Sequence, residues 1–205
     1  MPTRRVFPLK WCFGRADGLR VGGFSPGSFD RLLAAARSDT PWAYERLWRA
    51  FSPAVVSYLR LQGAFDAEDL TSEVFLGAFR NLRAFSGTED QFRGWLFTIA
   101  HRRLVDEHRR AAVRPAWGGD GRVPDRRAGD VEEDAWRELA EGRVRELCRR
   151  LPAGQRDVLL LRIVADLSVE QVAGALGRTP GAVKALQRRG LAGLRAILER
   201  EGVPL

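Results

Sequence analysis

Residues 167–198 read LSVEQVAGALGRTPGAVKALQRRGLAGLRAIL, two helical patterns separated by a short turn. Ser168 stands at an N-cap position with Gln171 three residues later, the two halves of a capping box, so a helix should start here. Val172, Ala173 and Leu176 form its apolar side. Gly177 supplies the left-handed position that ends it, and Thr179 with Pro180 caps and opens a second helix. In that helix Val183, Leu191, Leu194 and Leu198 mark the expected buried stripe, with Leu186, Ile197 and the aliphatic part of Gln187 close to it. Lys184, Arg188 and Arg189 come out on another side. A helix-turn-helix with a basic second helix fits a DNA major groove, although an ordinary helical hairpin has the same spacing. The placement of the cations favours DNA. Lys184 and Arg188 lie one turn apart at the front of the second helix, and Arg178 precedes them in the turn, where base-edge and phosphate contacts are made in this motif.

A chain of 205 residues holds one domain or two small ones. Its apolar fraction of 45% is ordinary for a globular protein, and the absence of a run of eighteen apolar residues argues against a membrane-spanning helix. The start, MPTRRVFPLKWCFGRADG, has neither a continuous apolar stretch nor a small-residue cleavage site, which predicts a cytoplasmic protein. A net charge of +8 and a pI near 10.7 point to an anionic partner, nucleic acid above all. Arginine carries nearly all of that charge, Lys10 and Lys184 being the only lysines, and a surplus of Arg, Ala and Gly also follows from a GC-rich genome. The location of charge therefore carries more information than its total.

Residues 1–27 lack any helical or strand period and read as a disordered or loosely attached extension with Trp11, Phe13 and Phe24 in it. From Ser28 the pattern changes. Phe29, Leu32, Leu33 and Ala36 describe a short helix, and Pro41 opens a longer one with Tyr44, Leu47, Trp48, Phe51, Val55, Tyr58 and Leu59 inward, which Pro53 kinks or divides. After Gly63, Asp66 caps a helix whose stripe is Leu70, Val74, Phe75, Ala78, Phe79 and Leu82. The helix dipole accounts for Asp66, Glu68 and Asp69, but Glu73 lies beyond the first turn and makes an acidic ridge with Asp69. A polar loop, Ser86–Gln91, leads into FRGWLFTIAHRRLVDEHRRAA, where Phe92, Trp95, Leu96, Ile99, Ala100 and Leu104 face inward. The opposite side carries Thr98, His101, Arg102, Val105, Asp106 and Arg109, with Arg103 and Arg110 flanking. Residues 113–130 have the composition of an interdomain linker. Two further helices follow, the second spanning Ala153–Ala165 and apolar enough to be the central packing element ahead of the helix-turn-helix.

No arrangement of nucleophile, base and acid stands out, and Gly118, Gly119 and Gly121 lack the lysine and flanking strand of a phosphate loop, so an enzyme is not expected. His101 and His108 lie two turns apart without a third ligand, and Cys12 and Cys148 lack zinc spacing, so neither metal nor other cofactor is expected. Cys148 reads as a small core residue.

DAEDLTSEVFLGAF followed by FRGWLFTIAHRRLVDEHRR resembles region 2 of the bacterial sigma-70 family, and LPAGQRDVLLLRIVADLSVEQVAGALGRTPGAVKALQRRGLAGLR resembles its region 4. With only a short linker between them, residues 28–200 are similar to the extracytoplasmic-function group of these sigma factors. The resemblance implies an all-α protein of two small domains: an extension at 1–27, region 2 at 28–112, a flexible linker at 113–130 and region 4 at 131–205. It also implies core RNA polymerase as a partner, through the β′ clamp coiled coil and the β subunit, along with promoter DNA and an anti-sigma factor. Asp69, Ser72 and Glu73 would meet the clamp, with Ser72 standing where the family often has Gln. Ala84–Gln91 resembles the segment that pockets a base flipped from the -10 element. His101, Arg102, Arg103, Asp106 and Arg109 would read and separate that element, although Asn is frequent in the family at the positions of Arg102 and Asp106. The acidic residues Asp125, Asp130, Glu132 and Glu133 would thread near the active-site and RNA-exit channel. Leu186 stands where an arginine is common and Gln187 where an aliphatic residue is common. This swap turns Leu186 inward and leaves Lys184, Ala185, Arg188 and Arg189 to read the -35 duplex, with Arg178 on its backbone. A helix-turn-helix regulator acting on DNA without polymerase is the alternative.

Overall fold

The structure, a computed structural model, describes residues 23–25, 27–113 and 142–202, and among them every regular element is helical. The amino-terminal unit holds α1 (Ser28–Arg37), α2 (Pro41–Gln62), α3 (Ala67–Arg80), a single 3-10 turn (Leu82–Ala84) and α4 (Glu89–Val113). The carboxy-terminal unit holds α5, described over residues 142–149, α6 (Ala153–Ile163), α7 (Val169–Leu176) and α8 (Pro180–Arg200).

Local chemistry accounts for most helix ends. The Asp66 carboxylate accepts the Asp69 N–H at 2.8 Å and opens α3, while Thr88 and Gln91 exchange bonds with each other's backbone at the start of α4. Ser168 and Gln171 complete the expected capping box of α7, Gly177 ends it at φ +61°, and the Thr179 hydroxyl accepts the Ala182 N–H to start α8. The longest amino-terminal helix departs from expectation. α2 runs unbroken through Pro53, which sits at an exposed position where the carbonyl it leaves without an amide partner can be hydrated.

Aromatic packing holds the first unit together. Phe92, fully buried, lies 5.7 Å from Phe29, 5.2 Å from Phe51, 5.5 Å from Phe85 and 5.7 Å from Trp95 between ring centroids. Trp48, expected in this core, instead lies at its margin, 36% exposed and tilted against Phe75 with ring centroids 4.6 Å apart. The packed chain also begins earlier than Ser28. Phe24 lies against Phe29 and Phe51, and the Glu89 carboxylate accepts the Gly23 and Phe24 N–H groups at 2.6 and 3.1 Å. The rest of the expected extension, residues 1–22, lies outside the described residues, as do 114–141 and with them most of the expected linker. Val113, assigned to the linker from composition, is the last residue of α4.

In the second unit α8 lies across α6, and its buried line runs through Val183, Gly190 and Ile197. Leu191, expected on that line, is 47% exposed, and Leu194 and Leu198 are only partly covered. The cause is close approach at glycine. A Cβ at Gly190 would come within 2.9 Å of Leu159 Cδ1 and one at Gly193 within 3.0 Å of Leu151 Cδ2, so the glycine side faces α6 and rotates Leu191 outward. Cys148 is a free, buried thiol, as the sequence suggests, and burial pushes its pKa up.

The two units are packed together, α6 against α2 and α7 against α4, and one apolar cluster runs from Phe29 through Leu61 and Leu161 to Val183.

Candidate nucleic-acid and protein interfaces

Asp69, Ser72 and Glu73 fall on one face of α3, and Leu76, 55% exposed, continues that face at the next turn. The sequence reading omitted Leu76, although its helical spacing from Asp69 and Ser72 is visible. The Ser72 hydroxyl donates to the Glu68 carbonyl at 3.1 Å, which leaves its lone pairs to accept from outside. Glu73 is not isolated: its carboxylate lies 3.6 Å from Arg103 of α4, both side chains about 40% exposed. Such a pair contributes roughly 0.2–1 kcal/mol, little enough to be exchanged for an external partner.

The expected set on α4 is divided. Arg102, Asp106 and Arg109 are exposed on one side, with Arg109 3.9 Å from Asp106. Arg103 leans instead over α3, near Gly77 and Glu73. His101 turns toward the second unit. Its Nδ1 lies 2.9 Å from the Tyr58 hydroxyl, and its ring faces Asp157 of α6. Burial lowers the His101 pKa below the ordinary 6.5; the Asp157 carboxylate opposes that shift and His108 adds to it. Because the packed form holds the proton less readily than a solvated imidazole, its stability is complete above pH 6.5 and declines as pH falls below that value. An NMR titration of the His101 ring should therefore give a midpoint below 6.5; a midpoint at or above it would place the ring in water or in a net favourable field of Asp157.

The loop before α4 is built around an aromatic stack. Phe85 lies on Trp95 at 5.0 Å with the rings 23° apart, and Arg37 donates to the Phe85 carbonyl. Glu89, which follows this loop, combines its bonds to Gly23 and Phe24 with an ion pair to the buried Arg93 at 3.3 Å. Glu89 was not singled out by sequence reasoning, which placed it in a polar loop at Ser86–Gln91; α4 instead begins at Glu89, because Thr88 and Gln91 cap the helix there.

On α8, Lys184, Arg188 and Arg189 are exposed and Ala185 is half-buried. Leu186 is packed inward toward Gly154 at the start of α6, as the exchange with Gln187 suggests. Arg178 is exposed in the turn, with its guanidinium folded back beside Gly154. A carboxylate borders this basic face. Glu170 is held below the usual range first by its own backbone N–H and the Ser168 hydroxyl, then by Lys184 and Arg162. The arrangement presents one cationic helix face on α8 and a separate cationic face on α4 beside aromatic rings, the charge and ring chemistry that suits a polyanion.

Two family profiles match separate parts of the chain. The family profile described as Sigma-70 region 2 matches residues 47–114, and that described as Sigma-70, region 4 matches residues 141–194. The chain is 35% identical over 173 residues to the ECF RNA polymerase sigma factor BldN of Streptomyces coelicolor, covering 82% of this chain and 64% of that protein. It is 32% identical over 174 residues to the ECF RNA polymerase sigma factor SigD of Mycobacterium tuberculosis, covering 81% of this chain and 82% of that one. Among solved structures, that of CnrH in complex with the cytosolic domain of CnrY superposes with a TM-score of 0.63 at 25% identity, covering 83% of this chain and 96% of the other. The chain belongs to the sigma-70 family of RNA polymerase sigma factors, in its ECF group.

Proposed function

We propose that this chain binds core RNA polymerase in the cytoplasm and directs transcription initiation at promoters whose -35 and -10 elements it reads with separate helical units, without being a catalyst itself. The observation that carries the reading is the pairing of an acidic, Leu76-bordered ridge on α3 with two cationic faces, one on α4 and one on α8. Asp69, Ser72 and Glu73 meet the β′ clamp; Arg102, Asp106 and Arg109 face the -10 strand beside the Phe85–Trp95 stack. Lys184, Ala185, Arg188 and Arg189 enter the -35 major groove, and Arg178 contacts its phosphates. Melting DNA costs free energy that the polymerase complex offsets, so the free chain binds promoters weakly. A partner protein seated over these faces would hold the chain inactive, and the solved structure of CnrH is itself a complex with the cytosolic domain of CnrY.

The test is transcription by core polymerase with and without the chain on a library of promoter sequences. Transcripts that share two spaced elements support the reading; tight, sequence-specific DNA binding by the chain alone, with no such transcripts, supports the regulator instead. Within that assay Arg188→Ala should weaken discrimination at one -35 base pair by about 1–3 kcal/mol, roughly 5- to 150-fold, while an equal loss on all sequences would confine Arg188 to phosphate contact. Reversing the ridge with Asp69→Lys and Glu73→Lys should abolish capture of core polymerase and leave binding to -35 duplex unchanged. Loss of both together would show that the ridge is needed for folding and not for docking.

A further inference from the structure

The loop between α3 and α4 is fastened at both ends by residues that come before Leu47, where the region 2 profile begins. At its front end the fastening comes from the turn between α1 and α2. Arg37, the last residue of α1, donates to the Phe85 carbonyl, and Asp39, in the turn itself, pairs with Arg83 of the 3-10 turn. Asp39 holds a left-handed backbone at φ +56° and accepts the Tyr44 hydroxyl at 2.7 Å, so its carboxylate is fixed from α2 as well.

At the rear end the fastening runs through Glu89. One of its oxygens accepts the Gly23 N–H at 2.6 Å and the other the Phe24 N–H at 3.1 Å. Arg93, 7% exposed, pairs with Glu89 at 3.3 Å and with Asp90 at 2.7 Å. Phe24 anchors the segment that Glu89 holds: its ring lies 5.7 Å from Phe29 and 6.3 Å from Phe51, with the Arg46 guanidinium 5.9 Å from its centroid. A first-turn glutamate that served the helix dipole alone would need no partner, whereas Glu89 directs both oxygens at another segment through charge-assisted bonds. Between the two fastenings the loop faces outward. Ala84, Ser86 and Thr88 are exposed, and Phe85 is half-buried, resting on Trp95 and edge-on to Phe92. A pocket that tells one extruded base from another works by shape and hydrogen bonds, and so depends on a loop held to within about 0.5 Å.

We infer that Arg37 and Glu89 are positioning residues of the -10 loop: they lock residues 85–88 from the front and from the rear, so that base preference at one position of the -10 element depends on side chains bonded to this chain's own backbone. The inference rests on the sigma-factor reading above, which gives the loop its role as the pocket for an extruded base. It makes groups ahead of the region 2 profile part of promoter reading.

The test uses the full chain with core polymerase and a promoter recovered from the library assay, randomised through its -10 element. Arg37→Ala and Glu89→Ala are compared with the conservative variants Arg37→Lys and Glu89→Gln, and urea unfolding first establishes that each is folded. The two alanine variants should flatten the preference at one -10 position by about three- to tenfold, the weight of one or two net hydrogen bonds, and leave the other -10 positions and the -35 preference unchanged. Arg37→Lys, which can still donate to the Phe85 carbonyl, should keep the wild-type ratio, and Glu89→Gln, which keeps one of two acceptors, should fall between. Unchanged ratios in folded variants, or transcription that falls equally from every promoter, would overturn the positioning role and confine both residues to stability. Because the two residues hold opposite ends, an unfolded variant at one leaves the other to decide. Where neither alanine variant folds, Glu89→Gln decides alone, an unchanged ratio again overturning the inference. Absence of promoter-specific transcripts from the wild-type chain would overturn the proposed function and this inference with it.

Discussion

Phe92→Ala should destabilise the amino-terminal unit by about 3–5 kcal/mol, a large part of the stability of a domain of this size. Phe92 has no exposed surface, and its ring is surrounded by Phe29, Phe51, Phe85 and Trp95, which come from α1, α2, the loop before α4 and α4 itself. Truncation removes the burial of one aromatic side chain and leaves a cavity that rings held by four different segments cannot all collapse to fill. Part of the loss also falls on edge-to-face and tilted ring contacts, each worth about 0.5–1.5 kcal/mol beyond its area. Function should follow stability here. Phe85 leans on Phe92 and stacks on Trp95, so the loop proposed to pocket a -10 base loses its support even where the bundle persists. Urea unfolding should show a lower midpoint with an unchanged slope, and Phe92→Leu, which restores much of the volume, should recover most of it. A loss below 1 kcal/mol would mean that the aromatic cluster is loosely packed.

Gly190→Leu should cost about 1–3 kcal/mol and remove -35 binding while leaving the first unit folded. Leucine is a better helix former than glycine, which lies about 0.8–1 kcal/mol below alanine, so propensity alone predicts stabilisation. Packing decides the sign. The first carbon of the new side chain would already meet Leu159 Cδ1 at 2.9 Å, its Cγ at 3.1 Å and Gln155 Cβ at 3.4 Å, and Leu159 is itself only 2% exposed within a cluster with Leu147, Leu151 and Ile197. To admit the side chain α8 must lift or turn on α6, which moves Lys184 and Arg188 relative to α7 and spoils the helix-turn-helix. Gly174→Ala is the control. Nothing lies within 4 Å of a Cβ at that position of α7, so the propensity gain of about 1 kcal/mol should appear undiminished. If Gly190→Leu were as stabilising as Gly174→Ala, the close approach of α6 and α8 would be wrong. Binding of each variant to a -35 duplex, alongside its unfolding curve, separates lost folding from lost reading.

The helix ends were the most legible part of this protein. Asp66, Ser168, Gln171, Gly177 and Thr179 act where the sequence puts them because a cap joins groups within four residues of one another. The faces of α3 were equally readable, since the ridge of Asp69 and Glu73 depends only on helical period. Less was legible in α8, where glycine carries no hydrophobic signal and Leu191 does. The buried line passes through Gly190 and Gly193 because α6 comes close enough to need them. Trp48 shows the same limit, being counted into the core by spacing and found at its margin, 36% exposed.

The sequence by itself determined that the chain is helical, where most helices begin and end, and that its two halves resemble regions 2 and 4 of one family. These properties follow from short-range hydrogen bonding and from periodicity. Only the tertiary structure decided that His101 faces Tyr58 and Asp157 and not solvent, that Arg103 leans on Glu73, and that Gln62 joins residues nearly a hundred positions away. Each of those outcomes depends on where a second helix lies, and a helix's own residues record its period but not its neighbour.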